Sequence, residues 1–138
     1  MVLDNKAIRR ILEHRYPFLL VDKIIEMDDN SIKGIKNVSA SDPFLAGHFP
    51  DNPVYPGVLL IESCAQVGGI LISKHLAGRG YLAKILDFTF ISFIEPGDSI
   101  HIEVKFISKF SGFAKVEALA RVNDKLVGKG EIIYSFVK

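Results

Sequence analysis

Two residues able to move protons flank one helix start in this chain. His48 sits in the loop His48-Phe49-Pro50-Asp51-Asn52-Pro53-Val54-Tyr55-Pro56-Gly57, and Glu62 follows inside the apolar run Val58-Leu59-Leu60-Ile61. Histidine is the side chain best suited to proton transfer near neutral pH. A carboxylate among apolar residues is costly to bury unless something pairs it or uses it. Between the two, Pro56-Gly57 stands where a helix should begin, and a helix start offers free backbone N–H groups to negative charge. A base, an acid and an oxyanion donor are therefore candidates within one short stretch.

Elimination of water from a β-hydroxyacyl thioester needs all three. A base takes the proton next to the carbonyl, an acid protonates the departing hydroxyl, and donors hold the charge that builds on the thioester oxygen. His48 suits the first role. Glu62 suits the second, because apolar surroundings favour the protonated form of a carboxyl group. The N–H of Gly57 suits the third, since glycine lets a ligand approach the backbone closely. Each residue alone has a plainer reading: a solvated loop histidine, a glutamate paired with a cation, a tight helix start. Together they are more specific, yet they still leave several reactions open.

The elements that must position these groups follow from pattern. Residues 4–13 read as a short helix capped by Asp4, with Ile8, Ile11 and Leu12 on one face, and Pro17 stops it. Residues 18–27 and 31–39 read as strands around the turn Asp28-Asp29-Asn30, and 41–55 as a functional loop with three prolines. Pro56 suits the first position of a helix that runs to about Leu76, with Gly78 as its stop. Apolar residues surround that helix on nearly all sides, which predicts burial on nearly all sides. One stripe differs: Glu62, Gln66, Gly69 and Ser73 share a face and suit a cavity or a partner surface. Strands are expected at 81–94, 100–106, 113–122 and 126–137. One buried helix with so few others to cover it requires a sheet curled around it, an α+β architecture.

Composition sets bounds. The 138 residues, 49% hydrophobic, are expected to form one domain, residues 1–138, with its own core. A net charge of +1 without a basic cluster gives no sign of nucleic acid as a partner. No apolar run reaches the ~18 residues that suggest a membrane span, and the charged N-terminal segment lacks the apolar stretch of a signal peptide. Cys64 is the one cysteine; it fits a small core residue and a reducing compartment, so a cytoplasmic protein is expected. His75 suits a helix C-terminus, His101 the polar face of a strand, and His14 a structural hydrogen bond. No spacing suggests a metal site.

The residues Gly47-His48-Phe49-Pro50, Pro53, Pro56-Gly57-Val58-Leu59, Glu62, Ala65-Gln66 and Gly68-Gly69 resemble the active-site signature of the (3R)-hydroxyacyl-[acyl-carrier-protein] dehydratases of bacterial fatty acid synthesis. His14-Arg15-Tyr16-Pro17-Phe18-Leu19-Leu20-Val21-Asp22 resembles that family's N-terminal motif, and Tyr81-Leu82-Ala83 and Pro96-Gly97-Asp98 fit later positions. The resemblance implies the hot-dog fold, a long helix wrapped by a curved antiparallel sheet. It implies His48 as base, Glu62 as acid, the N–H of Gly57 as thioester oxyanion donor, and the carbonyl of Val54 orienting the histidine. Gln66 would support the glutamate, and Phe49, Tyr55, Gly69, Ser73 and Tyr81 would line an acyl tunnel. It further implies a homodimer with His48 and Glu62 contributed by different subunits, and leaves room for a hexamer built as a trimer of dimers. No cofactor is implied beyond the phosphopantetheine arm of an acyl carrier protein, the expected partner. Glutamate rather than aspartate at position 62 points to the branch that dehydrates without isomerising. Other hot-dog activities, a thioesterase or coenzyme A hydratase, and a non-catalytic acyl-binding protein are the alternatives.

Two positions depart from the family. Tyr55 stands where methionine or another apolar residue is usual, and Phe90 is followed by Ile91-Ser92-Phe93 where basic residues usually dock the acidic carrier. The second departure leaves the identity of the carrier open.

Overall fold

The computed structural model describes residues 2–137; Met1 and Lys138, the ends of the expected domain, lie outside the described residues. Two α-helices and six strands run in the order α1 (Asn5–Ile11), β1 (Lys23–Met27), β2 (Ser31–Asn37), α2 (Gly57–Ile72), β3 (Arg79–Phe90), β4 (Ser99–Phe110), β5 (Phe113–Val122) and β6 (Lys125–Val137). The strands form one antiparallel sheet in the spatial order β1-β2-β4-β5-β6-β3. Chain neighbours pair except where β3 crosses to the far edge beside β6, which leaves α2 enclosed by the sheet. This is the hot-dog arrangement.

The wrapping follows from what α2 presents. Leu59, Leu60, Ile61, Cys64, Val67, Ile70, Leu71 and Ile72 are all buried, so the helix has almost no outward face. Two close approaches let it sit deep. A Cβ on Gly34 in β2 would meet Val67 Cγ2 and Ile24 Cδ1, each at 3.0 Å. Gly68 leaves room for the Tyr134 ring, whose hydroxyl donates to the Ala65 carbonyl at 2.7 Å. The inward residues of β4 and β5, Ile100, Ile102, Val104, Ala114, Val116, Ala118 and Ala120, alternate with outward ones and complete the core.

Several sequence expectations shift in detail. Pro56 is the N-cap of α2 and Gly57 its first residue; the Pro56 carbonyl accepts the N–H groups of Leu59 and Leu60. The helix ends at Ile72 rather than near Leu76, and Gly78, with φ 101°, introduces β3 instead of ending α2. Residues 18–22 are not a strand: Gln66 bonds the Phe18 carbonyl and the Leu20 N–H, Asn5 Nδ2 donates to the Val21 and Asp22 carbonyls, and the Asp22 N–H donates to the Ile35 carbonyl. The strand expected at 81–94 covers Arg79–Phe90, and the loop expected at 41–55 contains a 3₁₀ turn, Pro43–Gly47. Asp4 caps α1, accepting from the Ala7 N–H at 2.9 Å.

β3 is an edge strand of unusual exposure. Tyr81, Leu82, Ile85 and Phe90 are all open to solvent in the single chain. A long apolar edge is a template for pairing with another strand.

Candidate active site

His48 is held by the loop before α2. Asp42 anchors the loop's start by accepting the Ser39 N–H at 2.9 Å and pairing with Lys36 at 3.3 Å, an ammonium buried to 6% exposure that lies 5.9 Å from the Tyr55 ring centroid. Buried Leu45 pins the 3₁₀ turn, and the Tyr55 N–H donates to the Ile94 carbonyl at 2.7 Å at the loop's far end. Between these anchors, His48 Nδ1 lies 2.9 Å from the Val54 carbonyl. A carbonyl only accepts, so Nδ1 carries the hydrogen and Nε2 keeps its lone pair. That is the tautomer a general base needs. Phe49, next in the chain, adopts φ 66°, a left-handed conformation that bulky residues rarely take, and its ring lies against His48 at 4.4 Å between centroids. Strain of this kind persists where the surroundings enforce it and clusters at functional sites.

Glu62 is positioned by a separate set of bonds. Its side chain is 19% exposed, and its Oε2 accepts from Gln66 Nε2 at 2.9 Å. Gln66 is itself fixed at both ends: its Oε1 accepts the Leu20 N–H at 2.8 Å, and its Nε2 also donates to the Phe18 carbonyl at 2.8 Å. The segment 18–20 is thereby stitched to the helix face that carries the carboxyl group. His14 Nε2 lies 3.6 Å from the same Glu62 Oε2.

A cavity of about 940 Å³ opens over that face. Glu62, Gln66, Gly69, Ser73 and Tyr81 line it, so the polar stripe faces a cavity as its pattern suggested. His14, Phe18, Tyr134 and Phe136 complete much of the wall, and Glu13 pairs with Arg79 at 2.7 Å where both border the space. His48, Phe49, Val54, Tyr55 and Gly57 are not among the lining residues. Tyr55, expected in the tunnel, is instead 4% exposed in the core. Its hydroxyl donates to Ser63 Oγ at 2.8 Å, and Ser63 passes its own hydrogen to the Leu59 carbonyl at 2.8 Å. Burial pushes the Tyr55 hydroxyl well above the ordinary tyrosine range, with the Ser63 bond opposing in part. That chain of bonds explains how a tyrosine fits where an apolar residue is usual.

Gly57 lies at the N-terminus of α2, where the first N–H groups have no acceptor within the helix. A Cβ there would meet the Phe90 ring at 2.9 to 3.2 Å. The glycine thus lets the Phe90 ring at the end of β3 pack directly against the helix start.

The remaining histidines have local partners or solvent. His75 Nε2 donates to the Asp29 carbonyl at 2.6 Å while its ring stacks on Phe106, tying the β1–β2 turn to the end of α2. His101 is exposed on β4. Cys64 is fully buried, and burial pushes its thiol up to about 12. Among the described residues no group of three or more His, Cys, Asp or Glu is placed to hold a metal ion, and no helix is long and apolar enough to cross a membrane. Sequence reasoning missed Ser63 and Tyr134, whose roles depend on contacts with no local signature.

Comparison with known proteins fits this geometry. A FabA-like domain matches residues 12–134. The chain belongs to the FabA-like family. It is 43% identical over 136 residues to the 3-hydroxyacyl-[acyl-carrier-protein] dehydratase FabZ of Thermoanaerobacter sp., covering 96% of each chain. It is 44% identical over 131 residues to the protein of the same name from Thermotoga neapolitana, covering 95% of this chain and 96% of that one. Among solved structures, a chain of the dehydratase heterocomplex ApeI:P from Xenorhabdus doucetiae superposes with a TM-score of 0.83 at 20% identity, over 95% of this chain and 91% of that one. That likeness concerns the fold.

Proposed function

We infer that this protein removes water from (3R)-3-hydroxyacyl-[acyl-carrier-protein] to give the trans-2-enoyl thioester in fatty acid or related acyl-chain biosynthesis. It is a hydro-lyase. The observation that carries the residue assignment is the His48–Val54 bond, which leaves Nε2 free as a base, together with a carboxyl group that Gln66 holds over a cavity of about 940 Å³.

In the proposed mechanism His48 Nε2 takes the C2 proton, and the electron pair of that bond becomes the C2–C3 double bond as the C3–O bond breaks. Glu62 gives its proton to the departing hydroxyl, which leaves as water. The Gly57 N–H donates to the thioester oxygen while negative charge collects there. The proton on His48 then returns through solvent to the Glu62 carboxylate, which restores both groups. Side chains and one backbone N–H suffice for these steps, and the substrate arrives on the phosphopantetheine arm of its carrier.

The active unit is proposed to be a homodimer. Glu62 follows Gly57 by five residues, about 7.5 Å along the helix and some 140° around it, so the two groups face different sides of α2. The cavity beside Glu62 is bordered by Gly80, Tyr81 and Leu82 of β3, while Gly57 packs on Phe90 at the strand's other end. If a second copy pairs antiparallel along this exposed edge, about a centre near Ile85, Phe90 of one copy lies beside Gly80 of the other. The helix start and His48 loop of one subunit would then close the cavity of its partner. A trimer of such dimers belongs to the same proposal, as do a single domain spanning 1–138 and a cytoplasmic setting that suits one reduced, buried cysteine.

Mixed subunits test the assignment. His48→Ala and Glu62→Gln should each lose at least about 100-fold in turnover, the usual scale for a general acid or base. Exchanging the two inactive proteins should restore activity, because one of the two sites in a mixed dimer is intact. No recovery despite proven exchange would place each site within a single chain.

A further inference from the structure

Two nitrogen atoms approach the Glu62 carboxyl group, both at the same oxygen. Gln66 Nε2 lies 2.9 Å from Oε2 and His14 Nε2 lies 3.6 Å from it, while Oε1 has no hydrogen bond among the described residues. The Gln66 amide cannot be reversed, since the Leu20 N–H donates to its oxygen and the Phe18 carbonyl accepts from its nitrogen. Oε2 must therefore accept, and in the acid form the carboxyl proton sits on Oε1. The same constraint fixes His14. A ring nitrogen facing an accepting oxygen carries a hydrogen, or two lone pairs would oppose each other. Nε2 is thus the protonated atom of that ring.

The other edge of the ring has no competing claim. Nδ1 is buried with no hydrogen-bond partner among the described residues, and the ring stacks on Phe18 at 6.3 Å between centroids. An unpaired buried nitrogen is costly, so the ring's placement is explained by Nε2 and by the stack, not by Nδ1. At 3.6 Å the Nε2 contact is longer than a hydrogen bond. Catalytic hydrogen bonds are often long in a protein without substrate and tighten in the complex.

We propose that His14 is a positioning residue for the acid: with Gln66 it keeps the Glu62 proton on Oε1, toward the cavity, and its Nε2–H steadies the carboxylate left after that proton is given up. This rests on the reading of Glu62 as the acid. The contribution is made mostly when charge has formed on Glu62, so it belongs to turnover more than to binding.

Two variants test it, with kcat and KM measured on one 3-hydroxyacyl carrier substrate. His14→Phe keeps the stack and removes the N–H; it should lower kcat at least fivefold and change KM less than twofold. His14→Gln can place an amide N–H near the position of Nε2, and it should recover most of the loss. In a Glu62→Gln background His14→Phe should cost nothing further, because residues acting as one unit are not additive. Unchanged kcat in a folded His14→Phe protein, a loss confined to KM, or an undiminished further loss in the Glu62→Gln background would each overturn the proposal. The parent reading fails separately, if the unaltered protein forms no enoyl product or if Glu62→Gln keeps full turnover.

Discussion

Gln66→Leu measures how much of the site's order depends on one side chain. Gln66 is 2% exposed and serves three groups: the Leu20 N–H, the Phe18 carbonyl and Glu62 Oε2. Leucine has a similar size and none of the bonds. Leu20 is 1% exposed, so its N–H would be left without water; an unsatisfied buried donor costs about 1–3 kcal/mol. The Phe18 carbonyl and Glu62 are reached by solvent at the cavity, so their losses together come to about 1 kcal/mol. Against this, burying leucine instead of an amide recovers about 1 kcal/mol. The net cost is about 2 kcal/mol, or a fall of roughly 8 °C in melting temperature for a domain of this size. Calorimetry at fixed protein concentration is the measurement, because association shifts the midpoint by mass action. A fall smaller than about 2 °C would show that segment 18–20 is held by its apolar contacts and that the glutamine bonds contribute little to stability.

Three further outcomes are expected. Gly57→Ala places a methyl group 2.9 to 3.2 Å from the Phe90 ring, so turnover should fall about tenfold, ~1.4 kcal/mol of lost transition-state stabilisation, and a fully active variant would show that the Phe90 ring gives way without displacing the helix start. Cys64, buried and with its thiol pushed up to about 12, should resist alkylation at neutral pH until the protein is unfolded; rapid labelling of the native protein would contradict that burial. Ser92→Arg should raise turnover with a generic acidic carrier through the on-rate, most strongly at low salt, and an unchanged, salt-independent rate would mean that this segment does not meet the carrier.

The residues proposed for the chemistry were easier to single out in the sequence than the packing around them. His48, Gly57, Glu62 and Gln66 announce themselves by residue type at fixed spacing, and the apolar encirclement of α2 requires a wrapping sheet. Strand ends were less legible, because the mostly apolar run from Phe90 to Ile94 continues beyond the last contact with β6, the Ile91 N–H to the Val127 carbonyl. Segment 18–22 has strand-like composition, but its backbone partners include the Gln66 and Asn5 side chains and Ile35, which no local pattern discloses. Tyr134 reaches Ala65 across 69 positions, and Tyr55 finds Ser63 eight positions on, after the chain turns from loop into helix. In both cases a hydroxyl in the core is satisfied by a contact that exists only once the fold is complete.

The division of labour proposed along α2 would have a physical origin. A helix start offers free N–H groups to an oxyanion, whereas the Glu62 carboxyl group takes its partner from the helix interior and the segment packed on it. Gly57 meets the first condition and is crowded by Phe90; Glu62 meets the second through Gln66 and lies beyond the first turn. The two groups therefore open to different sides of the same rod, and no rotation of one side chain brings them together. A second copy paired along the exposed β3 edge would reconcile the two conditions without bending the helix, and it would cover the apolar edge that a lone chain leaves in water. On this view catalysis and assembly depend on the same strand, and a change that blocks β3 pairing should abolish turnover while leaving the bonds around His48 and Glu62 in place.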